Sequence, residues 1–231
     1  MAGRRLGMRD WAKMVVFALA FNCLAATAAT TAFAAEPGPI RIVALGDSLT
    51  AGFNLPQREA FPAQLERALR ARGHNVEVLN AGVSGDTIAG GLARLDWAVP
   101  ENAEAVIVEL GANDALRALD PGQARANLEK IVKRLTGRGL EVLLAGMAAP
   151  RNLGQEYTRA YDLIFPDLAK KYDLVYYPFF LKGVAFEPEL SLSDGLHPNG
   201  KGVARIVEGI LPRVEELIDR VKAKRLAAHR G

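Results

Sequence analysis

The sequence predicts an α/β domain whose parallel sheet is covered by helices on both faces. Three observations carry this. From residue 37 onward, short apolar runs alternate with segments of helical spacing. The alternation is strand then helix, the order that builds parallel sheets. Polar motifs rich in glycine follow the apolar runs, where open α/β sheets bind their ligands. The chain has 231 residues, half of them hydrophobic, which suffices for one domain with a full core and is too little for two sizeable ones. Residues 35–231 read as that domain, with no low-complexity linker, repeat or internal boundary.

Residues 40–45 form the first strand. Residues 58–72 have helical spacing, with Phe61, Leu65 and Leu69 on one face. Residues 76–79 are the second strand, and 87–98 a helix with Ile88, Leu92 and Leu95 three or four apart. Residues 105–110, AVIVEL, are the third strand. A helix over 121–135 has Asp120 as its N-cap and Pro121 at its first position. Residues 142–145 are the fourth strand, 155–172 a helix and 174–177 the fifth strand, so the central parallel sheet is five-stranded. The last helix spans 201–226, with a bend expected at Pro212.

The N-terminal stretch is a different kind of sequence. Arg4, Arg5, Arg9 and Lys13 precede an uncharged apolar run, and Ala32-Phe33-Ala34 fits the small-x-small cleavage rule. Residues 1–34 therefore read as a secretory signal peptide. Its most apolar part, residues 14–24, is too short to span a membrane. Cys23 is the only cysteine, and Asn22 before it does not suit a lipoprotein site. Without the leader no cysteine remains, which excludes a disulfide or a thiol nucleophile in the domain. The formal net charge of +3 also belongs to the leader, which holds four basic residues and one acidic one; the rest carries 25 of each sign. With no basic patch interleaved with aromatics, no nucleic-acid partner is expected. The expected product is a monomer in the periplasm or outside the cell, with no stable membrane anchor once the leader is removed.

The motifs after the strands are GDS, then NAGVSGDT at 80–87, GANDALR at 111–117 and AAPRNLG at 148–154; SDGLHPNG at 193–200 precedes the last helix. A serine hydrolase needs a nucleophile, a base, a carboxylate that orients the base, and donors for the developing oxyanion. Of the three histidines, His74 lies at the wrong end of the sheet and His229 in the charged tail, which leaves His197. Asp194, three residues earlier, can accept its Nδ1 proton and leave Nε2 facing Ser48. The N–H groups of Ser48 and Gly85 and the side-chain amide of Asn113 are the candidate oxyanion donors. Taken alone, each has an ordinary reading: Ser48, Asn113 and Asp194 as caps, Gly85 as a turn glycine, His197 as an exposed loop residue. Their common position at one edge of one sheet is what points to catalysis. Asp47, Asp86 and Asp114 each sit beside a candidate residue and read as loop-fixing hydrogen-bond partners rather than a metal cluster. GLHPNGKG at 195–202 nearly matches a phosphate loop, but Gly202 stands where Ser or Thr is needed and no strand directly precedes it. There is no G-x-S-x-G elbow and no His-rich metal spacing, so no metal is expected.

GDSLT with Ser48, SGDT with Gly85, GAND with Asn113, and DGLH with Asp194 and His197 resemble the four ordered blocks of the SGNH/GDSL hydrolase family. Their spacing and order are similar to those of its bacterial periplasmic branch, the arylesterase, acyl-CoA thioesterase I and lysophospholipase type. The similarity covers residues 40–217. It implies a flavodoxin-like three-layer α/β/α sandwich and a cofactor-free serine esterase acting on small carboxylic or aryl esters and acyl thioesters. By the same resemblance Ser48 is the nucleophile, His197 the base and Asp194 its partner, with Ser48, Gly85 and Asn113 forming the oxyanion hole. The third block departs from the family: this chain reads GANDALRA where thioesterase-type members often read GGNDGLRG, so Ala112, Ala115 and Ala118 replace glycines in a loop bordering the acyl site. Two alternatives stay open here, a carbohydrate acetylesterase on the same fold and a non-catalytic flavodoxin-like ligand-binding module.

Overall fold

The computed structural model describes residues 38–228 and Arg230; the expected leader, Cys23 and His229 lie outside the described residues. Five strands form the sheet: β1 Ile40–Gly46, β2 Val76–Gly82, β3 Ala105–Glu109, β4 Glu141–Ala145 and β5 Val175–Tyr177. All pairings are parallel and the order is β2-β1-β3-β4-β5. The chain leaves β1 to one side for β2 and then crosses to its other side for β3. That reversal puts a switch point at the carboxyl end of β1, where α/β sheets hold their ligands.

Nine α-helices accompany the sheet among the described residues: α1 Ser48–Ala51, α2 Phe61–Ala71, α3 Ile88–Ala93, α4 Leu95–Ala98, α5 Ala112–Leu116, α6 Pro121–Gly137, α7 Gln155–Asp162, α8 Ile164–Lys171 and α9 Gly200–Ala228. α2 packs on β2 and on α9, and α9 on β3, β4 and β5. α6 and α8 pack on β4 from the other side, with α3 and α7 against α6. The result is the three-layer sandwich expected of this alternation. The strands Ile40–Gly46 and Ala105–Glu109 are buried almost throughout, as a sheet covered on both faces requires.

Most limits shift by one or two residues; four elements are split or differ by more, each for a local reason. The helix expected from residue 58 starts at Phe61, after a 3₁₀ turn at Gln57–Glu59. Pro62 has no N–H for the carbonyl of residue 58 and its ring would clash there, so the helix has to begin later. The helix expected over 155–172 is two, parted at Leu163, because Pro166 cannot donate to the carbonyl of Asp162. The helix expected over 87–98 is broken at Arg94, with φ −100° and ψ 4°. Gly90 and Gly91 weaken it from within, and the Arg94 side chain is drawn inward, its Nη2 donating to Gly46 O at 2.8 Å and its Nε to Asp86 Oδ2 at 2.6 Å. β2 runs three residues past 79, because Asn80, Ala81 and Gly82 keep pairing with Ala44, Leu45 and Gly46. At Pro212 helix α9 continues unbroken, held on the sheet by a buried stripe that includes Ile206, Ile210, Val214 and Leu217.

Gly46 pairs with Gly82 on one side and with Glu109 on the other, so β1, β2 and β3 end level. The closeness of β2 to α1 depends on a missing side chain. A Cβ on Gly82 would lie 2.3 Å from Ala51 N and 2.7 Å from Ala51 Cα, both backbone atoms that cannot step aside. Gly82→Ala is therefore predicted to cost about 3 kcal/mol, the upper end of ordinary overpacking; an unchanged urea midpoint would contradict this contact. The Arg94–Asp86 pair, with side chains 7% and 17% exposed, joins the ends of β1 and β2. Arg94→Met leaves the Asp86 carboxylate without its partner and is predicted to cost about 3 kcal/mol. Pairing it with Asp86→Asn should recover part of that loss in the same denaturation assay.

Candidate active site

β1 delivers the chain to Gly46, and Asp47 ends the strand. Asp47 Oδ1 accepts from Leu49 N at 3.0 Å and so caps α1, a single turn closed by Gly52 N donating to Ser48 O at 3.2 Å. Ser48 is the first residue of this turn and is 9% exposed. The capping duty that a serine might have performed is thus taken by Asp47, and the Ser48 hydroxyl is left for another partner.

That partner is His197. Its Nε2 lies 2.9 Å from Ser48 Oγ, and its Nδ1 lies 2.7 Å from Asp194 Oδ2. A carboxylate only accepts, so Nδ1 carries the proton and Nε2 accepts from the Ser48 hydroxyl. The other oxygen, Asp194 Oδ1, accepts from the backbone N–H groups of His197 at 3.0 Å and Leu196 at 2.9 Å. Those two N–H groups, and then the imidazole, hold the Asp194 carboxyl down at about pKa 2. The loop is pinned at both ends. Leu192 N donates to His197 O at 2.7 Å, and Asn199 Oδ1 accepts from Lys201 N and Gly202 N, each at 3.0 Å, at the head of α9. The Phe53 ring lies 4.4 Å from the imidazole, centroid to centroid.

Two more sequence-predicted residues come from neighbouring loops. Gly85 sits in the turn after β2 at φ +85°, a left-handed backbone that favours glycine, and its carbonyl accepts from Arg117 Nη2 at 3.0 Å. Among the described residues no acceptor takes the N–H of Ser48 or of Gly85. Asn113 lies on α5, just after β3. Its Nδ2 donates to Asp86 O at 2.9 Å and to Asp47 Oδ2 at 3.1 Å, so this amide ties the loop after β3 to those after β1 and β2. The structure therefore joins Ser48, His197 and Asp194 in one hydrogen-bonded chain. Gly85 and Asn113 stand on the two adjacent loops, with Asn113 bonded to the aspartates rather than to the serine.

The three aspartates have the loop-fixing partners expected of them: Asp47 binds Leu49 N and Asn113, Asp86 binds Arg94, and Asp114 Oδ2 accepts from Ile88 N at 2.8 Å. Among the described residues no group of three or more His, Cys, Asp or Glu could hold a metal ion. Burial raises the Asp47 carboxyl to about pKa 6 against the pull of the Leu49 N–H and the Asn113 amide. Sequence reasoning missed Thr50, Arg94, Glu109 and Asn199. Glu109 did leave a signal, a carboxylate near the end of an otherwise apolar run. Of the three alanines that depart from the family pattern, Ala112 and Ala115 are helical, whereas Ala118 sits at φ +49°, where a glycine would be unstrained.

Residues 44–205 match the GDSL-like Lipase/Acylhydrolase family. An arylesterase of Vibrio mimicus is 36% identical over 76% of this chain and 88% of its own. The esterase TesA of Pseudomonas aeruginosa is 34% identical over 85% of this chain and 96% of its own. Among solved structures, AlinE4, an SGNH-hydrolase family esterase, is 46% identical over 78% of this chain and 97% of its own, with a TM-score of 0.67. These likenesses favour neither the acetylesterase nor the non-catalytic alternative. With the family match spanning β1 to α9 and relatives similar along almost their whole length, the chain belongs to the GDSL-like Lipase/Acylhydrolase family and is an ester hydrolase.

Proposed function

We propose that the chain is a serine esterase that cleaves small carboxylic and aryl esters and acyl thioesters through an acyl-enzyme on Ser48. The observation that carries this reading is the continuous line from Ser48 Oγ to His197 to Asp194, at 2.9 and 2.7 Å, set at the carboxyl end of the sheet. His197 Nε2 takes the Ser48 proton as Oγ attacks the carbonyl carbon. Asp194 keeps the second proton on Nδ1 and offsets the charge of the imidazolium. The developing oxyanion receives the N–H groups of Ser48 and Gly85 and shares the Asn113 amide hydrogen otherwise aimed at Asp47. Collapse expels the alcohol or thiol, which leaves with the proton from Nε2. Water then repeats the sequence on the acyl-enzyme and frees the acid and Ser48. Exposed Val83, Leu116 and Leu196 stand on the same three loops as Gly85, Asn113 and His197, which suits an apolar acyl or aryl group.

Ser48→Ala is predicted to abolish both turnover of a p-nitrophenyl ester and covalent labelling by a fluorophosphonate, with circular dichroism unchanged. Asn113→Ala should lower kcat by about 10²- to 10³-fold, as loss of one oxyanion donor does, while KM changes much less. If only KM rose, Asn113 would be a loop tie and no part of the oxyanion hole.

We also propose export: residues 1–34 direct secretion and are removed, leaving the enzyme in the periplasm or outside the cell. The basic start, the apolar run and Ala32-Phe33-Ala34 support this. Among the described residues no helix is long and apolar enough to cross a membrane. The exported protein should begin near Ala35 by intact-mass measurement; an intact Met1 on it would overturn the proposal.

A further inference from the structure

Glu109, the last residue of β3, is wholly buried beneath the turn that carries Ser48. A carboxyl in such a place is costly unless every oxygen is satisfied. Glu109 Oε2 accepts from Thr50 Oγ1 at 2.6 Å, but Oε1 is buried with no partner. Thr50 belongs to α1, two residues beyond Ser48. The pair fills the space above Gly46 completely: a Cβ there would lie 2.0 Å from Thr50 Oγ1 and 2.6 Å from Glu109 Oε2. The bond is thus a side-chain tie between the floor of the sheet and the single helical turn that presents the serine.

We propose that Glu109 is a positioning residue: through Thr50 it seats α1 on the end of β3 and thereby aims Ser48 Oγ at His197. The inference rests on Ser48 being the nucleophile. With the carboxyl wholly buried and Oε1 left without a partner, the uncharged acid is the form this site favours for Glu109. From the turn after β1 it faces the Asp47 carboxyl, and from α1 the Thr50 hydroxyl. The Arg94 guanidinium reaches the adjacent Gly46 carbonyl but is paired with Asp86, and the Asp114 carboxyl on α5 is turned to Ile88 N. Burial, and then the Asp47 charge, push the Glu109 carboxyl well above its ordinary range; the Thr50 hydroxyl and the Asp47 and Thr50 N–H groups offset this only in part.

The sign of the pH dependence follows. Above the ordinary value of 4.5 the unfolded chain has released this proton while the folded protein still holds it. Folding then takes up a proton, so stability falls as pH rises until the folded group itself ionises. Glu109→Gln keeps the neutral shape and has no such loss.

The test compares the full chain with Glu109→Gln, Glu109→Ala and Thr50→Val. Its readouts are the rate of fluorophosphonate labelling of Ser48, kcat and KM on p-nitrophenyl acetate, and the melting temperature at pH 5 and pH 8. Thr50→Val and Glu109→Ala are expected to slow labelling and kcat by about tenfold or more, the scale on which small misplacements act, with KM little changed. Glu109→Gln should restore the rate lost in Glu109→Ala and should gain melting temperature over the wild type on going from pH 5 to pH 8. If Glu109→Ala does not fold, Thr50→Val and Glu109→Gln decide. The positioning role is overturned if Thr50→Val labels at the wild-type rate, or if Glu109→Gln is as slow as Thr50→Val. A wild-type to Glu109→Gln melting gap that ignores pH overturns the uncharged state. Failure of the wild type itself to label at Ser48 removes the nucleophile, and this inference with it.

Discussion

The register of three strands is the constraint on which the rest depends. Gly46 stands between Gly82 and Glu109, so the loops after β1, β2 and β3 leave the sheet at the same height. Residues far apart in the chain then meet without any loop having to reach. Ser48 comes from the first exit, Gly85 and Asp86 from the second, Asn113 from the third. Two hydrogen bonds from one amide, Asn113 Nδ2, lock the three exits together. A slip of one residue in either pairing would turn side chains to the opposite face and separate these groups by a strand repeat.

Around this junction the carboxyls are sorted by their surroundings. Asp194 is met by two backbone N–H groups and an imidazole and stays ionised down to about pKa 2. Asp86 has a guanidinium partner. Asp47 is buried with amide donors only and sits at about pKa 6, and Glu109, deeper still, is pushed higher. Separate environments thus let four acids share one small region without mutual repulsion dominating it. The lowest-lying of these carboxyls, Asp194, is the one bonded to the imidazole, and those on the sheet side beneath the serine, Asp47 and Glu109, are the ones burial raises.

The sheet was legible in the sequence because each strand is an apolar run of strand length between helical segments. The number and parallel sense of the strands followed from the alternation alone. What was not legible turned on single residues acting through tertiary contacts. The break in the second helical segment, 87–98, needs Arg94 to find Gly46 O, a partner 48 residues away. The continuation of β2 through Asn80 is set by backbone pairing that a polar side chain conceals. Pro62 and Pro166 could have been read as helix boundaries from their chemistry, and the longer helical periodicity masked them. At the site, the types and order of Ser48, His197 and Asp194 pointed to one edge of the sheet. The partners of Asn113 could not be read, because a side-chain amide carries no sequence sign of where its two hydrogens go.

The base and its carboxylate lie three residues apart on one loop, whereas the serine is held by the sheet. The imidazole, its orienting acid and both N–H donors to that acid all fall within residues 194–197. They form a cassette whose internal geometry travels with the loop. A displacement of this loop as a unit keeps the Asp194–His197 contacts and is expressed mainly as a change in one length, Ser48 Oγ to His197 Nε2. The Phe53 ring against the imidazole is the element of the serine side that spans it.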